Sequence, residues 1–134
     1  MTGGAPTELL HQLAWSPRVS PDGVRLFVGK DPPTATICRV ASCHGGRDFT
    51  LPNPLPATVQ WTPDGKALIY LIEHDGVTAL IKRTLAGAAP REIVTFAGDE
   101  LFDFGYSFDG QSLAVTRGAW QHDIVLISGL SAIR

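Results

Sequence analysis

An Asp-Gly pair recurs three times along the chain, at Asp22-Gly23, Asp64-Gly65 and Asp109-Gly110, at intervals of 42 and 45 residues. Pro21 and Pro63 precede the first two pairs, and Phe108 precedes the third. A hydroxyl lies two residues before each Asp (Ser20, Thr62, Ser107), and a Leu lies four residues after it (Leu26, Leu68, Leu113). The residue types carry a mechanism. In Thr62-Pro63-Asp64-Gly65, proline pre-sets φ for a type I turn, Asp tolerates the bridge region, and Gly takes the left-handed conformation that closes a bulged hairpin. Each occurrence therefore predicts two antiparallel strands joined at a fixed point.

The rest of the unit repeats in register with the turn. Behind the second turn runs Ala67-Leu68-Ile69-Tyr70-Leu71-Ile72, an apolar stretch of strand length suited to a strand covered on both faces. About fifteen residues beyond each Asp a further strand is predicted, at Ile37–Val40, Leu80–Arg83 and Ile124–Ile127. A Gly-rich bend then leads to a fourth strand, Arg47–Thr50 or Arg91–Val94, and a new first strand ends in Gln60-Trp61 or Gly105-Tyr106. Four short strands in roughly 43 residues is the period of a β-propeller blade. The fold expected is all-β: one domain over 1–134, a partial propeller of about three four-stranded antiparallel blades at 8–52, 56–97 and 100–134.

The first unit is irregular. Trp15-Ser16-Pro17 starts the motif and Val19-Ser20-Pro21-Asp22-Gly23 starts it again, as though four residues had been inserted. Thr7–Leu13 is read as a strand, with a short helical turn as the other option. Three units leave sheet faces and edges open. The expectation is a piece of a longer propeller, or copies assembling to complete a ring.

The stretch Trp61-Thr62-Pro63-Asp64-Gly65-Lys66 followed by an apolar strand resembles the TolB-type, WD-like propeller repeat family. Leu85-Ala86-Gly87-Ala88-Ala89-Pro90-Arg91-Glu92-Ile93 is similar to that family's bend before the outer strand. The third unit departs, with Tyr106 for Trp and Phe108 for Pro. The resemblance covers about residues 13 to 130 and implies a six-bladed ring when complete. It also implies kinship with translocation proteins, propeller caps of serine peptidases, and the C-terminal modules of bacterial receptor-like kinases or regulators. The ending around Asp123–Ile127 resembles the last of these. Fold is implied more narrowly than activity, because function sits in sites grafted onto folds.

Composition excludes several classes. A net charge of −2, with eleven Lys and Arg scattered among thirteen Asp and Glu, offers no basic stripe for nucleic acid or anionic membrane. No apolar run reaches the eighteen or more residues that span a bilayer. The segment Met1–Pro6 has neither the basic nor the apolar region of a secretory signal, so the cytoplasm is the default expectation, with the compartment otherwise open. Cys38 and Cys43 read as one strand and its end. A disulfide is geometrically possible, but two cysteines make no framework and only His44 lies near for zinc, so reduced thiols are expected.

Candidate chemistry is weighed against the repeat. Gly105-Tyr106-Ser107-Phe108-Asp109-Gly110 approaches a nucleophile elbow, but Asp109 replaces the second Gly, and the alignment makes Ser107 a turn hydroxyl equivalent to Thr62. His74-Asp75 and His122-Asp123 are expected to point apart as chain neighbours, with Asp75-Gly76 forming a two-residue turn. Asp99, Glu100, Asp103 and Asp109 are spaced too irregularly for a calcium loop. No Gly-rich phosphate loop or Cys-x-x-Cys occurs.

No catalytic, metal or cofactor site is therefore expected. Pro21, Asp22, Gly23, Pro63, Asp64, Gly65, Asp109 and Gly110 are read as turn structure, and Trp61 as a ring packed between blades. Trp120, outside any repeat constraint, is the candidate partner contact. The function expected is a non-catalytic scaffold for protein interaction or ligand sensing, with loops near 30–34, 73–77 and 117–122 sharing one rim, and the insertion at Arg18–Ser20 and the loop at 97–100 bringing in other edges. The alternative is the propeller portion of a larger enzyme, a kinase sensor domain or a prolyl-oligopeptidase-type peptidase, with its catalytic residues outside these 134.

Overall fold

A computed structural model describes residues 4–5, 8–10, 14–31, 33–52, 58–98 and 100–119. The described residues form ten antiparallel strands and no helix, so none that could cross a membrane. The strands fall into three sheets. The first joins β1 (Trp15–Val19), β2 (Arg25–Gly29), β3 (Thr34–Arg39) and β4 (Ser42–Thr50) in chain order. The second repeats that meander with β5 (Val59–Trp61), β6 (Ala67–His74), β7 (Val77–Thr84) and β8 (Arg91–Ala97). The third pairs β9 (Glu100–Tyr106) with β10 (Leu113–Gly118). The strand expected at Ile124–Ile127 lies outside the described residues.

Strand alternation explains how the sheets stack. Along β6, Leu68 and Tyr70 face one way, into a core shared with Phe27 and Ala35 of the first sheet and with Leu51 just after it. Ile69 and Leu71 face the other way, onto Leu101 and Phe104 of β9. β7 alternates in step, with Ala79 and Ile81 in the first core and Leu80 in the second. The middle sheet is thus covered on both faces, which is why its strands read as continuous apolar runs. A smaller cluster of Leu26, Val28 and Cys38 lies on the far side of the first sheet, against Leu9 and Leu10.

The three Asp-Gly turns superimpose bond for bond. In each, the hydroxyl residue's carbonyl accepts from the Gly N–H at 2.8 Å: Ser20 from Gly23, Thr62 from Gly65, Ser107 from Gly110. The hydroxyl donates to the Asp carboxylate at 2.5 Å and accepts the N–H of Arg25, Ala67 or Ser112. The carboxylate also accepts from the residue after Gly: Val24, Lys66 or Gln111. Gly23, Gly65 and Gly110 have φ of 72°, 65° and 70°, which a side chain disfavours. The turns also nest on one another. A Cβ on Gly110 falls 2.8 Å from Pro63, and one on Gly65 falls 3.7 Å from Pro21.

Four expectations need correction. Residues 8–10 are not strand, and the first strand starts at Trp15 instead. The doubled motif becomes a bulge in β1: Ser16 has φ 48° and the register shifts between Trp15 and Arg18. Trp15 then lies flat over Gly29, where any Cβ would strike its ring, and its Nε1 donates to the Lys30 carbonyl at 2.8 Å.

The fourth strand of the first sheet starts at Ser42, not Arg47. It runs through Gly45 and Gly46, and the irregularity in β3–β4 pairing absorbs them. This places Cys43 on β4 beside Cys38 on β3, across the Val40-Ala41 turn, with Arg39 opposite Ser42. Their Cα atoms are 4.9 Å apart, within disulfide range, and the two are disulfide-bonded, contrary to the reduced thiols expected.

Finally, Asp75-Gly76 does form the two-residue turn, with φ of 51° and 72° at its centre. The left-handed backbone swings Asp75 back, so that His74 Nε2 and Asp75 Oδ2 meet at 3.1 Å. The expected separation of these side chains does not hold. Both are more than four-fifths exposed, a weak surface contact.

Candidate functional site

The first and second sheets enclose a cleft of 180 Å³ between them, and its chemistry is uneven. Three arginines reach it from three strands: Arg25 opens β2, Arg47 lies midway along β4, and Arg83 lies near the end of β7. Strand alternation turns Arg47 and Phe49 to the same face of β4, and Leu68 and Tyr70 of β6 face them across the gap. The apolar wall is Ile37, Phe49, Leu68 and Leu85. Among the described residues no carboxylate lines the cleft.

Each guanidinium ties one sheet to the other through a backbone carbonyl. Arg25 donates to Gly65 at 3.2 Å, Arg47 to Leu85 at 3.1 Å, and Arg83 back to Thr50 at 2.9 Å. Arg83 also lies over the Phe49 ring, 4.7 Å from its centre, a cation–π contact that fixes the plane of the guanidinium. Burial pushes the neighbouring Tyr70 phenol above its usual range, and Arg83 pulls the other way by its charge and by a hydrogen bond. Gly87, with φ 88°, brings the β7–β8 turn beside the Arg47 head group. Beyond Arg83 a second, more open hollow of 340 Å³ is lined by Leu51, Tyr70, Ile72 and Pro90.

The residues singled out from sequence occupy other places. Pro21, Asp22, Gly23, Pro63, Asp64, Gly65, Asp109 and Gly110 build the three turns, and Ser107 is held by Asp109 and Ser112 in the same way as Thr62 by its own turn. Trp61 is 7% exposed, and its Nε1 donates to the Arg18 carbonyl at 2.8 Å, joining the second sheet to β1. The Asp22, Asp64 and Asp109 carboxyls are all held below the usual range, first by the neighbouring hydroxyl and next by a backbone N–H. Glu100 and Asp103 lie on β9, and Asp103 accepts from the Phe104 N–H. Trp120, Asp99 and His122-Asp123 lie outside the described residues.

The described parts of the loops near 30–34 and 73–77 fall at the end of each sheet opposite its Asp-Gly turn. Arg25 lies at the opposite end of β2 from the first of these loops, whereas Thr50, which accepts from Arg83, pairs with Thr34 at that loop's edge. The cleft was not among the expected sites. The signal for it was present but dispersed: Arg25, Arg47 and Arg83 belong to no shared motif, and only the stacking of two sheets unites them. Compared with known protein families, the chain matches none.

Proposed function

We propose that this chain is a segment of a β-propeller of the TolB-like type, acting as a non-catalytic scaffold for ligand sensing or protein interaction. The observation that carries the reading is the repeated unit. Two complete four-stranded meanders and the start of a third stack face to face, with the same turn nesting on its predecessor each time. Such stacking extends naturally by further identical steps. Phe108 stands where Pro21 and Pro63 touch the next turn's glycine, and it is fully exposed, marking the place of the next contact.

Function on such a frame resides where stacked sheets leave gaps and where loops leave the strands. Here the arginine-lined cleft is the gap with a chemical character of its own. Among the described residues the partial stack has an open face, which a second copy can cover to give six units in a ring. The test is the mass and fold of the chain in solution. An assembly of two copies, at twice 14.4 kDa with a β-type circular dichroism spectrum, is the expected result. A stable, folded monomer overturns the propeller reading, since the open face would then need no cover.

A further inference from the structure

We propose that the cleft between the first two sheets binds a carboxylate carried on a short apolar body, a ligand class that rests on reading the chain as a binding scaffold. The argument starts from charge. Arg25, Arg47 and Arg83 bring three permanent positive charges to one hollow of 180 Å³. Arg47 is exposed and Arg25 and Arg83 are half-buried, so the three charges gathered beside apolar walls repel one another and favour an anion among them. Their hydrogen-bond partners here are neutral: the carbonyls of Gly65, Leu85 and Thr50, and for Arg83 the Tyr70 hydroxyl as well. Asp22 feels the charge of Arg25, while its carboxylate accepts from Ser20 and the Val24 N–H within its own turn.

Crosslinking accounts for one N–H from each arginine, and the Tyr70 hydroxyl engages Arg83 further. A guanidinium carries five, in a planar fork that matches a carboxylate with two parallel bonds. Arg83 is the best prepared of the three: its plane is set by Phe49 and its position by Thr50, so little freedom is lost when an anion docks.

The walls decide what the anion is attached to. Ile37, Phe49, Leu68 and Leu85 line the remainder of the cleft, so a bare, strongly hydrated anion leaves this surface unused. The volume is below the roughly 300–1,000 Å³ of sites for drug-sized ligands, which restricts the body to a ring or a short chain. Arg47 is exposed on β4 and closes the rim, where it can act as the entry contact.

The test uses the whole chain with benzoate as probe, followed by NMR or titration calorimetry. Saturable binding in roughly the millimolar range is expected for so small a molecule, weakening with added salt. Benzamide, its neutral analogue, should bind far less. Arg47→Gln should weaken benzoate about tenfold, the size of one lost charge-assisted contact. Lys30→Gln removes the same charge from the far end of β2, where Lys30 pairs with Asp48, and should leave binding unchanged. Three results overturn the proposal: benzamide equal to benzoate, Arg47→Gln no weaker than Lys30→Gln, or no saturation by a chain whose fold and mass are intact. The last leaves the scaffold reading standing, whereas a folded monomer removes that reading whatever benzoate does.

Discussion

The second and third sheets begin with the same turn and end in different surroundings. Around Thr62 and around Ser107 the hydrogen bonds match partner for partner, within 0.1 Å in the distance from hydroxyl to carboxylate and to carbonyl. Yet Thr62 is 3% exposed and Ser107 is open to solvent. The strands that follow diverge further. β6 is buried on both faces over Ala67–Leu71, whereas β10 alternates half-buried and exposed residues, with Leu113 and Val115 as its inward side. The turn is therefore a local device, written in five residues and indifferent to burial. Stability is not local; it depends on whether a neighbouring sheet covers the strand.

The widest gap between the two regions should appear in the core. Leu80 is wholly buried between the second and third sheets, and Leu80→Ala should cost about 3–5 kcal/mol through lost contacts and a cavity. Leu113→Ala, half-buried on β10, should cost about 1 kcal/mol. Urea unfolding midpoints measure both. Equal losses would mean that the third sheet is covered in solution by something absent from this chain's described residues, a direct sign of the next stacked unit.

The turn hydroxyls give a smaller and cleaner contrast. Thr62→Ala strips the buried Ala67 N–H of its acceptor and the Asp64 carboxylate of its donor, a loss of about 1–3 kcal/mol. Ser107→Ala breaks the same bonds where water can replace them, and about 0.5 kcal/mol is expected. The same denaturation experiment reads both. If Ser107→Ala costs as much as Thr62→Ala, the third turn is buried in solution.

The sequence exposed the turns and the strands behind them because both are encoded at short range. Hydroxyl, Asp and Gly at fixed spacing admit one hydrogen-bonding pattern, and Ala67–Ile72 admits few environments other than a doubly covered strand. The misreadings came where pairing overrode composition. Gly45-Gly46 look like a bend, yet β3 holds them in β4, and this register brings Cys43 against Cys38. Ser16-Pro17 look like a false start, yet a bulge keeps them in β1. The arginine cleft was illegible for a different reason. Its successive arginines are 22 and 36 positions apart on three strands, and nothing local distinguishes Arg47 from any other exposed arginine until two sheets stack.

Acid provides the smallest expected difference and tests the turns without altering their packing. Asp64 and Asp109 are each held below the usual carboxylate range, first by the hydroxyl two residues earlier and then by a backbone N–H. A lowered folded-state pKa means that the unfolded chain binds the proton more readily. The resulting stability is fully present above the unfolded value, near 4, and is lost as pH falls through the folded one. Unfolding midpoints measured from pH 6 downward should therefore hold level and then drop below about pH 4. Asp64→Asn should flatten that drop by removing its titrating group, and Asp109→Asn should flatten it too. Both side chains are exposed, so salt and water screen each of them, and the two effects should be similar despite the different burial of Thr62 and Ser107. A much larger effect at Asp64 would show that the buried hydroxyl, and not the turn geometry common to both, controls the carboxylate.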